Sequence, residues 1–458
     1  MADARKRLAV TLVGGGSQNW TPKIIRDILF KPGLEEVPIE FRLLDTHSGR
    51  AKAMEALFKV KAREWKVKRA RFRATRSAEQ ALEGSDFVII TISTGRLEAM
   101  AHDLAVPERY GLYHTVGDTA GPGGWSRALR NIPVFADYAR RIRKLAPDAF
   151  VLNYTNPLGA LTKVLADELG RQRVVGLCHG FFENLRVLMA IFGLQDEREI
   201  QARFGGLNHF FWILDFQVRG EDGYALLRRK LRGRNFAALV QDVHQDGMGF
   251  HSDKWLTGEL LTNYGYLPYV GDRHTCEFFN WSLASLEMQK RFKLVRTTIA
   301  ERRASYERAE ARLAQWTRGE AADGPLTPTP SRETAADIIH AITFNRGFTD
   351  VVNLPNIGQI ANLPMGAVVE TMGYVDGSGF TPLTTGALPE PVRAVVAPHA
   401  EVQVRTVAAG LSAGFDAALL ALEADPVCGH LPPSDIRKMG MELLAANRQH
   451  LPQFFGKA

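Results

Sequence analysis

The stretch that decides the fold is Val10-Thr11-Leu12-Val13-Gly14-Gly15-Gly16-Ser17. Its first four residues are typical of a buried strand, which then turns through three glycines towards a helix. Glycines at such a turn let the backbone approach a pyrophosphate, and the N–H groups at the helix start stabilise its charge. Gly14, Gly16 and Ser17 are therefore predicted to contact a dinucleotide, although Asn19 stands where the usual fingerprint has a third glycine.

The end of the next predicted strand supports this nucleotide site. Asp45 closes that strand, and a carboxylate at this position accepts the ribose hydroxyls and repels the 2′-phosphate of NADP. The favoured cofactor is therefore NAD. Ser93, at the end of a later apolar run, is a further predicted contact. The Thr21 hydroxyl is expected to cap the intervening helix, with Pro22 at its first position.

Short apolar runs alternate with helical patterns along the first 200 residues. Strands are predicted over residues 8–13, 40–45, 72–75, 86–93, 150–155 and 173–179, and helices over 22–29, 48–66, 78–82, 125–145 and 159–168. This alternation is typical of an α/β protein whose parallel sheet has helices on both faces. We therefore predict a Rossmann-like, NAD-binding domain over residues 1–200.

The pattern becomes mixed beyond residue 200. It predicts a long aromatic strand over 206–218, helices over 272–290, 295–318 and 389–424, a loop over 319–332, and strands over 352–356 and 368–374. We expect residues 201–458 to form a mixed α+β domain for substrate binding and oligomerisation.

Composition places the chain among ordinary globular proteins. It has 458 residues, 45% of them hydrophobic, a formal net charge of +7 and three cysteines. Three scattered cysteines are too few for a disulfide framework. Neither an export signal near the start nor an apolar run long enough to span a bilayer is expected. We therefore predict a reduced, cytoplasmic protein without a membrane partner.

One basic stretch, residues 59–76, allows two interpretations. It could bind a polyanion, or it could be an exposed helix face that runs into an edge strand, with arginine stems lying on apolar surface. No nucleic-acid module surrounds it. The second interpretation is therefore favoured, and no nucleic acid is expected as a partner.

A second motif, Gly176-Leu177-Cys178-His179-Gly180, places a thiol beside an imidazole at the end of an apolar strand. The pair could be inert, because cysteine is commonly buried and strand-end imidazoles often bind backbone groups. Cys178 could also bind a divalent ion together with His209, a distant imidazole that opens an aromatic strand. Spacing alone does not decide whether these side chains meet.

Five motifs together resemble glycoside hydrolase family 4, over nearly the whole chain and in the right order. They are Gly14-Gly15-Gly16-Ser17, Asn153-Tyr154-Thr155-Asn156-Pro157, Gly176-Leu177-Cys178-His179, Asn208-His209 and Val352-Asn353-Leu354-Pro355-Asn356. The resemblance implies a fold similar to lactate and malate dehydrogenases, NAD, a divalent metal that is usually manganese, and a homodimer or homotetramer. It also implies a redox route to hydrolysis. In that route C3 of the sugar is transiently oxidised, C2 is deprotonated, the glycosidic oxygen leaves, water adds and the hydride returns.

The resemblance further implies roles for four side chains. Cys178 and His209 would be the metal ligands that hold the C2 and C3 oxygens of the sugar. His179 would be the acid that protonates the leaving group, at a position where relatives carry Asp. Asn156 would hydrogen-bond the sugar hydroxyls.

The base that removes the C2 proton is less closely defined, because relatives use a Tyr or an Asp of the segment that matches residues 264–274. Asp272 is favoured, with Tyr266 and His274 in reserve. The alternative is a polar loop in which Asp272 caps a helix. Asp118, in the glycine-rich segment 116–124, either contacts the sugar or fixes a turn.

The Cys-His-Gly form at residues 178–180 resembles the uronidase subgroup, so an exo-acting hydrolase of α-glucuronides or α-galacturonides is favoured. A uronate carboxylate is best held by a bidentate arginine, and the candidates are Arg96, Arg127 and Arg273. Three alternatives stay open. They are an α-glucosidase or α-galactosidase of the same family, a 2-hydroxy-acid dehydrogenase that accumulates NADH, and an NAD-binding regulator without turnover.

Overall fold

The structure, a computed structural model, describes residues 7–243, 252–320 and 324–456. The first six residues, on which the expected absence of an export signal rests, lie outside the described residues, as do positions 321–323 of the predicted loop. Among the described helices, none combines the length and apolar character needed to cross a bilayer.

The described strands and helices are as follows. The strands are β1 (Leu8–Val13), β2 (Ile39–Leu44), β3 (Ala70–Thr75), β4 (Phe87–Ile90), β5 (Phe150–Asn153), β6 (Val174–Gly176), β7 (Ile200–Leu207), β8 (Phe210–Val218), β9 (Glu221–Asp222), β10 (Leu267–Pro268), β11 (Phe348–Pro355), β12 (Val368–Asp376) and β13 (Gly379–Pro382). The helices are α1 (Thr21–Leu29), α2 (Ser48–Glu64), α3 (Ala78–Leu82), α4 (Arg96–Glu108), α5 (Gly121–Leu145), α6 (Leu158–Leu169), α7 (Gly180–Phe192), α8 (Gly223–Leu231), α9 (Phe236–Val243), α10 (Trp255–Tyr264), α11 (Asp272–Thr275), α12 (Asn280–Leu283), α13 (Leu286–Arg291), α14 (Ile299–Arg318), α15 (Ala335–Phe344), α16 (Glu390–Leu411), α17 (Phe415–Glu423), α18 (Pro433–Ala446) and α19 (Pro452–Phe455).

One sheet passes through both halves of the chain, in the order β10-β8-β7-β12-β11-β6-β5-β4-β1-β2-β3. The six strands from β6 to β3 are parallel and have the order typical of a dinucleotide-binding fold. β11 joins β6 in the antiparallel direction, and the strands beyond it are antiparallel as well. The predicted α/β class with a Rossmann-like first half and a mixed second half is confirmed.

Helices cover both faces of the parallel strands. α1, α2 and α15 pack on one face, and α5, α6 and α16 pack on the other. β1 and β4 are buried along their whole length, as expected for strands that are covered on both sides. β11, α15 and α16 come from the second half, so both the sheet and its covering helices cross the predicted boundary at residue 200. The division into two domains at that residue stays a prediction.

Three predictions of regular structure are wrong. The predicted strand 206–218 is a hairpin, in which Asn208 and His209 form the turn between β7 and β8. The residues directly on either side of this turn are apolar or glycine, so periodicity does not reveal it. The predicted helix 389–424 breaks between α16 and α17, where Ala413 has a φ of +57°. The predicted helix 272–290 is divided into short segments by extended backbone at Phe279 and Ser285.

Two smaller points concern the first half. The Thr21 hydroxyl does not cap α1, because Thr21 is already the first helical residue, and its oxygen is buried without a partner among the described residues. The basic stretch 59–76 forms the end of α2 and then β3, which is the outermost strand of the sheet. It therefore has the placement that the second interpretation of this stretch expected.

Candidate active site

A cavity of about 240 Å³ lies where the parallel strands β5 and β6 end. Tyr154 and Asn156, which follow β5, line it together with Cys178 and His179, which follow β6. Trp20, from the glycine-rich turn after β1, lines it too and packs on the ring of Tyr154 at 4.7 Å between centroids. The cavity therefore adjoins the place where a nucleotide binds in this topology, outside the carboxyl ends of the strands.

The turn after β1 needs its glycines. Gly14 has a φ of +92°, and a Cβ there would lie 2.4 Å from the carbonyl oxygen of Thr91 on the chain after β4. The N–H of Gly16 donates to Oδ2 of Asp45 at 2.9 Å, so the predicted ribose carboxylate also holds the turn. Ser17 accepts a hydrogen bond from the N–H of Trp20 at 3.3 Å. A carboxylate has about four lone-pair positions, so Asp45 keeps acceptor capacity for ribose hydroxyls, and the residues present fit NAD.

A compact group of metal-type ligands faces the same region. One ligand atom from each of Asp118, His209 and His274 lies within 4.8 Å of the other two. Burial lowers the pKa of both imidazoles, most strongly that of His274, which also feels the charge of His209. Although burial opposes it, the neighbouring His274 and Arg127 hold the pKa of Asp118 below its usual range. Two neutral imidazoles and one carboxylate fit a divalent transition metal.

Cys178 lines the cavity but stands outside that three-residue group. The side chain of the nearby Asn208 donates to Oε2 of Glu370 at 3.0 Å. Burial, together with the carboxylate of Glu370, raises the pKa of the thiol to about 12. Burial also raises the pKa of Glu370 to about 7. A cation is therefore needed to stabilise the thiolate in this environment.

His179 has an acidic partner that the sequence did not indicate. Its Nδ1 lies 3.4 Å from Oε1 of Glu333, and 55% of the imidazole side chain is exposed, against 9% for the carboxylate. Burial raises the pKa of Glu333, while the charge of His179 opposes the shift. An exposed imidazole held by a buried carboxylate is a suitable proton donor to a leaving group at the mouth of the cavity.

The segment 264–274 differs from its predicted role. Asp272 lines the cavity and is fully buried, but its carboxylate accepts from the N–H groups of Leu256 and Thr257 at 3.1 Å and from the Thr257 hydroxyl at 2.5 Å. Burial raises the pKa of Asp272 to about 6. Asp272 is the first residue of α11, and its carboxylate caps the preceding helix α10 and not its own.

Tyr269, and not the reserve candidate Tyr266, lies in the cavity wall. Tyr266 packs against the core and Tyr224 and is not among the residues that line the cavity. Tyr269, three positions on, does line it, and its hydroxyl donates to Glu183 at 3.3 Å. Tyr266 and Tyr269 flank β10 and are three positions apart. Because side chains alternate along a strand, these two tyrosines point to opposite sides. That alternation was the signal that could have indicated Tyr269.

Only one of the three predicted arginines reaches the cavity. Arg273 lines it. Arg127 instead donates to the carbonyl oxygen of Asn156 at 3.0 Å and to the hydroxyl of Ser93 at 3.3 Å, which places Ser93 beside the cavity residue Asn156. Arg96 is exposed at the start of α4 and lies away from the cavity.

Arg186 is a further cavity residue that the sequence did not indicate. It is exposed on α7, and His179, Glu183 and Arg186 follow one another at helical spacing along the same wall of the cavity; that spacing could have indicated it. Within the described chain, neither Arg186 nor Arg273 has an ion-pair or hydrogen-bond partner for its guanidinium. Two guanidinium groups without an anionic partner among the described residues therefore face the cavity.

Comparison with known families agrees with this arrangement. The Family 4 glycosyl hydrolase model matches residues 9–193, and the Family 4 glycosyl hydrolase C-terminal domain model matches residues 204–428. The chain belongs to the family 4 glycosyl hydrolases. It is therefore an enzyme of the glycoside hydrolase class.

Two curated relatives of this family 4 hydrolase cover almost its whole length. An α-galacturonidase of Thermoanaerobacterium saccharolyticum is 31% identical, over 97% of this chain and 96% of the relative. An α-galactosidase of Rhizobium meliloti is 30% identical, over 97% of this chain and 89% of the relative.

Two solved structures share the fold. The Bacillus subtilis protein lplD is 29% identical, with a TM-score of 0.86 over 96% of this chain and 100% of that chain. A 6-phospho-α-glucosidase from gut microorganisms, in complex with NAD and Mn2+, is 20% identical, with a TM-score of 0.81 over 98% of this chain and 99% of that chain.

Proposed function

We propose that this family 4 hydrolase is an exo-acting α-uronidase, and that α-linked galacturonate is its first substrate to test. The observation that carries the proposal is the presence of Arg273 and Arg186 on the cavity wall without a partner among the described side chains. Arg273 is only partly exposed to solvent, so its charge would gain from a counter-ion in the cavity, and a uronate carboxylate would supply one. The 31% identical relative is named an α-galacturonidase, which supports the same sugar class.

We also propose that the enzyme uses NAD and a divalent metal, since a 6-phospho-α-glucosidase of this fold contains NAD and Mn2+. Gly14, Gly16, Ser17, Asp45 and Ser93 would hold the nucleotide. When bound, the nicotinamide and the metal supply a transient oxidation at C3 of the sugar and Lewis-acid polarisation of its oxygens. His209 would hold the metal. Cys178, which lines the same cavity, would add a sulfur ligand.

The remaining steps fall to side chains on the cavity wall. Asn156, whose amide donates to Asp118 at 3.3 Å, would bind sugar hydroxyls. His179, held by Glu333, would protonate the glycosidic oxygen as it leaves. Arg273 would bind the uronate carboxylate.

We assign the removal of the C2 proton to Tyr269 in place of Asp272. The carboxylate of Asp272 is occupied by three donors from α10. Tyr269 lines the cavity, and its hydroxyl is hydrogen-bonded to Glu183, which can accept the tyrosine proton. Burial and Glu183 raise the pKa of Tyr269 well above its usual value, so the phenolate would form only when a positive charge is bound nearby.

A neutral α-galactoside is the second candidate substrate, favoured by the 30% identical α-galactosidase. The family match favours hydrolysis over the dehydrogenase and the regulator. The assembly as a homodimer or homotetramer and the cytoplasmic location remain predictions.

The experiment is release of p-nitrophenol from the α-galacturonide, α-glucuronide, α-galactoside, α-glucoside and 6-phospho-glucoside. Each would be assayed with NAD, Mn2+ and a thiol reductant, and again with EDTA or without NAD. We expect release from a uronide that requires both additions, with no net NADH. Faster release from a neutral or phosphorylated sugar would overturn the uronidase proposal, and release that does not depend on NAD would overturn the redox route.

A further inference from the structure

We propose that Asp118 and His274 are metal ligands, so that together with His209 they form a two-imidazole, one-carboxylate site. This inference rests on the proposal that the enzyme binds a divalent metal in this cavity. It gives His274 and Asp118 a role different from those predicted for them, namely reserve base and sugar contact or turn.

The three side chains converge from separate parts of the fold. His209 comes from the β7–β8 turn, His274 from α11, and Asp118 from the loop before α5. Their ligand atoms all lie within 4.8 Å of one another, and the two imidazole rings are 4.1 Å apart between centroids at a tilt of 31°. A metal ion between such atoms needs only small side-chain adjustments, because metal–nitrogen and metal–oxygen bonds are about 2.0–2.2 Å long.

Thr119 determines which nitrogen of His209 is available. Its hydroxyl lies 2.8 Å from Oδ1 of Asp118 and 3.0 Å from Nδ1 of His209. An ionised carboxylate only accepts, so the hydroxyl proton points to Asp118 and the hydroxyl oxygen accepts from Nδ1–H of His209. Nε2 of His209 is then unprotonated, as a metal ligand requires, and its other nitrogen has the hydrogen-bond partner typical of metal-bound histidine.

His274 supplies the independent observation. Its Nδ1 is buried and has no hydrogen-bond partner among the described residues. A buried polar atom without a hydrogen-bond partner destabilises the fold, so a bound metal ion would account for the position of this nitrogen beside His209 and Asp118. Two imidazoles and one carboxylate leave other coordination positions open for sugar oxygens or a fourth protein donor such as Cys178.

The test measures Mn2+ binding directly, without turnover. Full-length His209→Asn, His274→Asn and Asp118→Asn would be titrated with Mn2+ in the presence of NAD, with free Mn2+ followed by its EPR signal. His430→Asn, which removes an exposed imidazole far along the chain, is the matched control. We expect each of the three variants to weaken Mn2+ binding by on the order of 10–100-fold or more, and the control to bind as the parent does.

Pulsed EPR of bound Mn2+ gives a second readout. We expect nitrogen couplings from two imidazoles in the parent and from one in His274→Asn. Unchanged Mn2+ affinity and unchanged couplings in His274→Asn would overturn the inference, and so would a single coupled imidazole in the parent. A far-UV spectrum and unfolding curve for each variant identify loss of fold. The uronide assay tests the proposed function separately, since metal affinity and substrate class are different measurements.

Discussion

His209 reaches the cavity because of its backbone. It is the second residue of the β7–β8 turn and has a φ of +64°, a conformation that costs a non-glycine residue roughly 1–3 kcal/mol. The hairpin and the hydrogen bond between Nδ1 and Thr119 hold it there. Such strain at a buried imidazole is consistent with a functional role for the side chain.

The two unpaired arginines give the first prediction at this scale. Arg273→Gln and Arg186→Gln should each lower kcat/KM for the α-galacturonide by roughly 10–150-fold, the equivalent of a lost charge-assisted hydrogen bond of about 1.5–3 kcal/mol. Turnover of any neutral glycoside should change little, because it has no carboxylate. Arg291→Gln, on the exposed surface, is the control. Equal losses on charged and neutral sugars would contradict the prediction.

Glu370 gives a second prediction, on pH. Burial raises its pKa from 4.5 to about 7, so the folded state binds the proton more tightly than the unfolded state does. Its contribution to stability is therefore complete below about pH 4.5 and is lost as the pH rises through 7. Glu370→Gln should remove this dependence and gain, relative to the parent, about 1–3 kcal/mol in the free energy of unfolding between pH 5 and 8.

The measurement is urea unfolding of parent and Glu370→Gln at pH 5 and pH 8. Taking the difference between the two proteins removes the opposing contributions of the histidines. An identical pH dependence in both would show that Glu370 titrates normally.

At the scale of elements, Asp272, the first residue of α11, joins that helix to α10. Its carboxylate satisfies N–H groups at the start of α10 that the helix itself leaves without acceptors. The neighbouring Lys254, which precedes α10, donates to the carbonyl of Val270 at 2.7 Å. These contacts position the wall of the cavity that carries Tyr269, Arg273 and His274.

This geometry separates the two roles considered for Asp272. Asp272→Asn keeps an acceptor for Thr257 but turns an amide N–H towards the N–H of Leu256, and should lower the free energy of unfolding by about 1–2 kcal/mol. If Asp272 only caps the helix, the kcat of the variant should stay within about tenfold of the parent's. Loss of a catalytic base would instead lower kcat by about 10²–10⁴-fold. Urea unfolding and kcat measured on the same sample decide; abolished turnover with unchanged stability would restore Asp272 as the base.

At the scale of the whole molecule, the two halves share one sheet and the three hydrophobic clusters that pack around it. β11 pairs with β6, and α15 and α16 complete the layers over the parallel strands. The candidate active-site cavity takes residues from both halves. We therefore expect the first half to depend on the second for its fold.

A fragment of residues 1–200 should not fold independently. Without the second half it would expose the edge of β6 and the apolar faces of α5 and α6, which favours association over a compact state. We expect aggregation or a broad, non-cooperative urea transition, compared with one cooperative transition for the full chain. A soluble fragment that unfolds in a sharp transition would contradict this and would support the predicted boundary at 200.

The sequence by itself determined what depends on neighbouring residues. Alternating apolar and helical patterns predicted the parallel half, and the glycine run with Asp45 predicted the nucleotide turn, because strand burial and positive φ leave local signatures. The five ordered motifs were enough to indicate the family. They also contain Cys178, His179 and Asn156, all of which line the cavity.

Only the tertiary structure decided which distant side chains meet. The convergence of Asp118, His209 and His274 depends on a hairpin, a loop and a short helix that join at the ends of parallel strands. The same packing buried Asp272 against α10, brought Tyr269 and Arg186 to the cavity and left Tyr266 and Arg96 outside it. Local periodicity reports the face of an element, whereas a site depends on how elements pair across the sheet, and that information is distributed over the whole chain.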